Sequence, residues 1–270
     1  MKIYGICMTK NSEDIIYHFL LHALEEGLDG IIVADNMSTD NTLSEINKAK
    51  SLNLGRRHIE ILEDNEVGYY QSKKMTRLAQ LAHEKFGADW IIPMDDDEIW
   101  YSKTGSISET IKTLPKNINV ITADLYNHFP TAIDVPDIVP FKSLVWRQQK
   151  KGALPKVAMK YHKGMVIEQG NHSVTYPVSI HSSNVLEIRH FPYRTWEQFK
   201  NKAVNGLKAY QATDLPEDMG GHWRSYGKLI EKWGDEVVER EVFRKYFYFF
   251  SPTDNEMVCD PAPFRRWLIK

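Results

Sequence analysis

Cysteine is nearly absent from this chain: its 270 residues hold two, Cys7 and Cys259. Two thiols cannot build a disulfide framework, nor a zinc site by themselves, so a stapled secreted scaffold and a zinc module are both excluded. Such usage fits a reducing compartment. Long apolar runs are missing as well. No stretch approaches the roughly 20 residues a membrane-spanning helix needs. The first residues, MKIYGICMTKNSEDII, reach charge too early for a signal peptide, so neither a leader nor a span is expected. Charge of one sign is lacking too. The 34 basic and 36 acidic side chains leave a formal net charge of −2, without the basic footprint of a nucleic-acid partner. There is no repeat and no low-complexity segment. What remains, 42% hydrophobic and 26% charged, is ordinary for a globular protein with a real core. The length allows one large domain, or one with an appended piece.

The chain is organised around residues 88–100, ADWIIPMDDDEIW. Trp90, Ile91, Ile92 and Met94 read as a short buried strand. Pro93, with no N–H to give, speaks against pairing on both sides. Asp95, Asp96, Asp97 and Glu98 follow without a gap, and Ile99 and Trp100 resume the apolar pattern. Four adjacent carboxylates resist ionising together unless a cation sits among them. Alternate residues of an extended chain point the same way, so Asp95 and Asp97 are expected to share one hard divalent cation. The plain alternative is a solvated acidic turn. An EF-hand is excluded, because loop positions 6 and 12 hold Trp100 and Ser106 instead of Gly and Glu.

Strand and helix alternate four times in the first hundred residues. Strands are expected at 2–8, 30–34, 59–63 and 90–94. The first helix starts from an Asn11 or Ser12 cap with Glu13 and Asp14 in its first turn, and Gly27 ends it. The second is capped by Ser38 or Asp40, and the third runs over 71–86. This alternation predicts a doubly wound, mostly parallel α/β sheet. Further strands are expected at 120–126, 144–147, 157–161, 165–168 and 185–191, with a proline-rich loop at 129–141. Helices follow at 195–209 and around 228–245. The aromatic run 246–250 reads as core or dimer contact.

Asp35 closes the second strand and opens DNMSTDNT. A carboxylate there can accept from a uracil N3–H or a ribose hydroxyl; a plain turn-and-cap motif is the structural alternative. Lys10, Asn11 and Glu13 follow the first strand. In an open α/β sheet all three polar stretches reach the rim at the carboxyl ends of the strands, where ligands bind.

Taken together, Lys10-Asn11-Ser12-Glu13, Asp35-Asn36-Met37-Ser38-Thr39-Asp40 and Trp90 to Glu98 resemble motifs of family 2 glycosyltransferases of the GT-A fold, in a bacterial-type branch. The first motif carries one extra residue, Ser12. The likeness covers about the first hundred residues firmly and the rest loosely. It implies a GT-A-type sheet with residues 1–110 as the nucleotide-sugar-binding half, 111–209 as the acceptor-binding half, and 210–270 as a mainly helical extension. It also implies transfer of a sugar from a nucleoside-diphosphate donor, UDP-linked in the first instance, to a glycan or lipid-linked hydroxyl acceptor. Asp35 would hold the base, with Lys10, Asn11, Glu13, Ser38, Arg77, Asp95, Asp96 and Arg194 around the donor. Asp95 and Asp97 would meet Mn²⁺ or Mg²⁺, and His190, ending a strand placed parallel beside the acidic one, would complete the metal shell. Glu168 and His172 are both candidates for the general base. Trp223 and Arg224 would face the acceptor. A cytoplasmic protein is implied. The mixed cations and aromatics of Phe264-Arg265-Arg266-Trp267-Leu268 read as a packed final helix or as a peripheral contact with an anionic membrane surface at the inner face.

A sugar-phosphate nucleotidylyltransferase is the rival enzyme, but it wants a glycine-rich first loop, and Met8-Thr9-Lys10-Asn11 has no glycine. A phosphatase using D-x-D as nucleophile and acid would carry it near the start of the chain. A nucleotide-sugar-binding protein without activity is the non-enzyme alternative.

Overall fold

Residues 1–270 are described by a computed structural model, with 53–54, 136–138, 253–255 and 264–270 left aside. The C-terminal segment read as a packed helix or a membrane contact therefore lies outside the described residues. Four branched apolar runs form the parallel strands β1 (Ile3–Thr9), β2 (Gly30–Asp35), β3 (His58–Glu63) and β4 (Trp90–Asp95). Helices α1 (Ile16–Glu25), α2 (Thr42–Lys50) and α3 (Gln71–Phe86) connect them. Side chains alternate between two buried faces, as a pleated strand requires. Ile3, Cys7, Ile31, Val33, Trp90, Ile92 and Met94 meet Phe19, Leu20, Ile46 and Ala49 of α1 and α2. Tyr4, Ile6, Ile32, Ala34 and Ile91 meet Met75, Leu78, Ala79 and Ala82 of α3. Burial on both faces explains why these strands read as continuous apolar runs.

The chain continues through β5 (Glu98–Ser102), α4 (Ile107–Thr113), β6 (Val120–Asn127), α5 (Pro140–Ser143), β7 (Trp146–Gln148), β8 (Lys156–Lys160), β9 (Val166–Ile167), β10 (Val174–Thr175) and β11 (Ser182–His190). Helices α6 (Trp196–Gln211) and α7 (Gly221–Trp233) follow, and β12 (Met257–Cys259) pairs with β7. One sheet of eight strands results, in the order β3-β2-β1-β4-β8-β6-β11-β5. Only β8 and β5 run against the rest. The fold is thus the expected α/β class, a mostly parallel sheet wound on both faces. The expected donor and acceptor halves share this single sheet.

Its order dictates a curl. β4 and β5 are four places apart, which spans about 19 Å in a flat sheet at roughly 4.8 Å per strand. Only Asp96 and Asp97 stand between them in the chain, as a tight turn. Three residue steps reach about 10 Å at most, so the sheet must bend until the ends of β4 and β11 meet at the acidic turn. The ladder between β4 and β8 stops at Ile91, two residues before Pro93, while the ladder to β1 runs on to Asp95. Proline is tolerated because one side of its strand is already unpaired there.

Several expectations change. The first helix begins at Ile16, and Glu13 and Asp14 lie in the turn before it, where Ser12 O accepts from Ile15 and Ile16 N–H. Neither expected residue is the N-cap of the second helix, which is Asn41; Asp40, one place before it, accepts from Thr42 N–H at 2.9 Å, and Ser38 turns to Asp35. Pro140 opens a helical turn, Pro140–Ser143, just before the strand expected over 144–147, and β7 starts two residues late, at Trp146. The helix placed around 228–245 starts earlier, at Gly221, and breaks at Gly234, whose φ of +76° a side chain would resist. Short helical turns over Asp235–Val238, Glu239–Phe243 and Arg244–Tyr246 follow it. In the aromatic run, Phe247 packs on Tyr193 and Phe199, while Tyr246 and Phe250 stay exposed. No described helix is long and apolar enough to cross a membrane.

Candidate functional site

Every strand that reaches the acidic turn delivers a polar residue to the same rim. The parallel strands bring their carboxyl ends: Thr9 from β1, Asp35 from β2, Asp95 from β4, Asn127 from β6 and His190 from β11. The two reversed strands bring their amino ends, Lys156 from β8 and Glu98 from β5. Around the turn, Asp95, Asp96, Asp97 and Glu98 meet Lys156, Lys202, His190 and the amides of Gln71, Asn127 and Asn171.

Asp95 and Asp97 do not share a point. The extended-chain expectation fails because Asp96-Asp97 is a turn, which sends the two side chains apart. Asp95 Oδ2 takes Lys156 Nζ at 2.6 Å, and its Oδ1 accepts from Gln71 Nε2 at 3.2 Å and Asn171 Nδ2 at 3.1 Å. Gln71 opens α3 and its Oε1 accepts from Gly170 N–H at 2.8 Å, so one side chain ties the acidic strand to the Gly170 loop. Lys156 Nζ also lies 2.8 Å from Glu98 Oε1, and Glu98 Oε2 accepts from Trp100 Nε1 at 3.1 Å. Glu98 is wholly buried, and burial raises its carboxyl. Lys156 is buried as well, yet Asp95 and Glu98 outweigh that burial and hold the ammonium charged far above its ordinary range. A buried ion pair of this kind is tolerable because both charges are matched.

Asp97 faces the other way and is 1% exposed. Its Oδ2 accepts from Lys202 Nζ of α6, and its Oδ1 stands 3.4 Å from His190 Nε2. Burial alone would raise this carboxyl, but Lys202 and His190 outweigh it and hold the group well below the usual range. At Asp96 the Lys202 charge is outweighed. This carboxyl accepts from Thr9 Oγ1, and burial together with Asp97 pushes it up to about 6. The Cys7 thiol feels the same negative field and is pushed up, first by burial and then by the four carboxylates.

His190 reaches the acids by a different route from the one expected. β11 is not a neighbour of β4: it runs parallel to β6 and antiparallel to β5, placing His190 opposite Glu98. Its Nδ1 is 2.7 Å from Asn127 Oδ1, and Asn127 Nδ2 faces Gln148 Oε1 at 3.5 Å. The amide thus presents oxygen to the ring and Nδ1 donates to it, which leaves Nε2 turned to Asp97. An imidazole held this way by an outer amide is what a metal-ligating histidine requires. Among the described residues no group of three or more His, Cys, Asp or Glu side chains is placed to hold a metal ion; Asp97 and His190 bring one hard oxygen and one imidazole together, a donor pair whose chemistry suits a divalent cation. Asp95 stands apart from them, tied to Lys156, Gln71 and Asn171.

At the ends of β1 and β2, Asp35 accepts from Ser38 Oγ, and Ser38 Oγ in turn accepts from Asn11 N–H at 3.0 Å. Asn11 sits at φ +52° and its Oδ1 accepts from Thr39 N–H at 2.8 Å. Lys10 Nζ donates to Asn36 O at 2.7 Å; burial lowers this ammonium, and nearby Asp35 and Asp64 work against that. Glu13 is spent as a clip, with Oε2 accepting from Asn41 N–H and Nδ2. Arg194 is spent as well. It is 5% exposed, donates to both oxygens of Asp14 at 2.7 and 3.0 Å, and donates to Phe191 O. Arg77 lies on the exposed face of α3 with Lys73 and Gln80, away from the rim.

His172 donates from Nδ1 to Pro155 O at 2.8 Å, which leaves Nε2 with its lone pair. Burial first, then the Lys156 charge, lower its pKa, so the ring is a neutral base. Glu168 is bound by Thr175 Oγ1 at 2.6 Å in the β9–β10 hairpin. Of the acceptor-side pair, Trp223 lies beside the site, with Lys202 Nζ 5.3 Å from its ring centroid. Arg224 does not: it donates to Met219 O and Tyr210 O and lies over the Tyr210 ring. The loop before α3 covers this side, through Tyr69 N–H to Ala209 O at 3.1 Å and Tyr70 Oη to Asp214 at 3.0 Å.

Lys156, Lys202, Gln71, Asn127 and Asn171 escaped the sequence reading. Lys202 did leave a trace: its helix has no acid three or four residues away, so its partner had to come from elsewhere.

No protein-family profile matches the chain, and no curated protein does. Among solved structures it is similar to residues 1–349 of S. aureus TarS in complex with UDP. The identity is 15% and the TM-score 0.39, over 90% of this chain and 75% of that one. It is also similar to glucosyl-3-phosphoglycerate synthase from Mycobacterium tuberculosis in complex with Mn²⁺, UDP and glucosyl-3-phosphoglycerate. There the identity is 13% and the TM-score 0.31, over 46% of this chain and 44% of that one. At such distances the likeness says nothing of the chemistry, which the rim residues themselves have to carry.

Proposed function

We propose that this chain is a metal-dependent glycosyltransferase that moves a sugar from a nucleoside-diphosphate donor to a hydroxyl of a glycan or lipid-linked acceptor in the cytoplasm. The observation that carries it is the pair Asp97 Oδ1 and His190 Nε2, 3.4 Å apart at the sheet rim, with His190 oriented by Asn127. Asp97 and His190 would hold Mn²⁺ or Mg²⁺, which when bound neutralises charge on the departing nucleoside diphosphate.

The chain's own residues do the rest. Asp35, steadied by Ser38, keeps a carboxylate oxygen for the base or ribose of the donor. Lys10, whose ammonium donates to Asn36 O, supplies a cation near that carboxylate. Lys156 holds Asp95 and Glu98 still, so the acidic strand end keeps one shape. His172 takes the proton of the attacking hydroxyl at Nε2, for which a neutral imidazole is suited. Trp223 offers a ring face to the acceptor sugar.

The test is calorimetric titration of UDP with and without Mn²⁺, on the wild type and on Asp97→Asn. Wild-type protein should bind UDP more tightly with Mn²⁺ present, and Asp97→Asn should lose that gain while keeping its far-UV dichroism. Equal metal dependence in both proteins would remove Asp97 from the site. Release of free UDP from a UDP-sugar in the presence of Mn²⁺ distinguishes an enzyme from a binding protein.

A further inference from the structure

The two lysines that neutralise the acidic turn are held in different ways. Lys156 has a side chain 6% exposed, opens a strand, and is locked between Asp95 and Glu98. Lys202 has a side chain 34% exposed, stands on α6, and touches one carboxylate, Asp97. Its ammonium also lies 5.3 Å from the Trp223 ring centroid, a surface on which a cation can rest. Lys202 and a divalent cation held by Asp97 and His190 would compete for the same carboxylate. An ammonium and a divalent cation on one carboxylate repel each other strongly in so buried a place. Only Lys202 has the flexible stem and the exposure to leave.

We infer that Lys202 is an exchangeable counter-cation: it holds Asp97 while the site is empty and moves to the diphosphate oxygens of the donor when a divalent cation takes Asp97. This deepens the cation reading above and rests on it. The exchange keeps the charge balanced at each stage. The empty site has one ammonium on one carboxylate. The loaded site has two anionic phosphate groups, for which the displaced ammonium is a ready partner. Lys202 is then a donor-binding residue whose place in the empty protein is that of a stand-in for the metal.

The experiment is amine footprinting of the wild-type protein with an acetylating reagent, read by mass spectrometry at Lys202 and Lys156, beside calorimetric titration of Mn²⁺. Mn²⁺ alone should raise acetylation of Lys202 about tenfold, and UDP added with Mn²⁺ should bring it back below the metal-free level. Lys156 should stay protected throughout. Lys202→Met should bind Mn²⁺ more tightly than the wild type and bind UDP, at saturating Mn²⁺, about tenfold more weakly, the loss of one charge-assisted contact. Mn²⁺ binding in the calorimeter with no change at Lys202 overturns the exchange and leaves the metal site standing. So does a Lys202→Met protein that binds Mn²⁺ and UDP as the wild type does. Absence of Mn²⁺ binding to either protein overturns both the exchange and the metal reading beneath it.

Discussion

Replacing Lys156 with methionine removes one ammonium and keeps an apolar stem, so it isolates what that charge does under the acidic turn. The ammonium lies 2.6 Å from Asp95 Oδ2 and 2.8 Å from Glu98 Oε1. At an effective dielectric near 20, attraction to Glu98 alone is about 6 kcal/mol, and desolvation of both groups offsets much of it. What the truncation exposes is the charge left behind. Glu98 is fully buried and would retain the Trp100 indole and a long contact from Asp95 N–H. Breaking a buried pair from one side costs about 3–5 kcal/mol, a large part of the roughly 5–15 kcal/mol that holds a domain together. Removing the second charge as well should restore most of it, because an uncharged pair of similar volume is close to neutral. Urea unfolding of the wild type, Lys156→Met, Glu98→Gln and the double variant closes the cycle. The expected order is a large loss for Lys156→Met, a smaller one for Glu98→Gln (Lys156 still has Asp95), and recovery in the double variant. A Lys156→Met protein within about 1 kcal/mol of the wild type, or a double variant no better than it, would show that the pair does not carry the turn.

Asp35→Ala should weaken UDP binding by about 1.5–3 kcal/mol, the value of a hydrogen bond to a charged group; unchanged calorimetric affinity would put the base elsewhere. His190→Ala should lose Mn²⁺ affinity in the presence of UDP, whereas His172→Ala should keep it and lose turnover; metal loss in His172→Ala alone would reverse the two roles. His128 gives a pH test away from the rim. It is fully buried, its Nδ1 donates to Leu144 O at 2.8 Å, and burial drives its pKa down to about 3. The folded pKa lies below the unfolded value of about 6.5, so its contribution is intact above that value and is lost as pH falls. By linkage the loss reaches about 2 kcal/mol at pH 5. Urea midpoints of the wild type should therefore fall between pH 7.5 and 5 more steeply than those of His128→Asn, and equal slopes would contradict a buried neutral ring.

How far the sequence reached is set by the range of the interactions involved. Alternating apolar runs and helix periodicity are local, so β1 to β4 and α3 were legible, and so was the rim on which Asp35 and the acidic turn lie. The connection between the acids and His190 was legible only in its outcome. The pattern of residues 185–191 showed a strand ending in histidine, but nothing local says that β8 and β6 slip between β4 and β11. Arginines misled for the same reason. Arg194 looked available because Asp14, its partner, lies 180 residues back, and a bidentate pair of that reach has no sequence signature.

The failure to place Asp95 with Asp97 has a sharper cause. Period-two reasoning holds along a strand, and the strand ends at Asp95. The strand expected at 90–94 does end at the acids, but Ile99 and Trp100, which resume the apolar pattern, belong to a second strand of the same sheet, and the acids join the two. The distinction lies in the sheet order. β5 pairs with β11 at the far edge, so the chain must turn at once, and the turn falls on Asp96-Asp97. The same turn frees Asp97 to meet His190 and Lys202 while Asp95 stays with Lys156 and Gln71. A cluster that looks uniform in one dimension is thus divided in three, with one half locked by a buried lysine and the other held by a lysine that can leave.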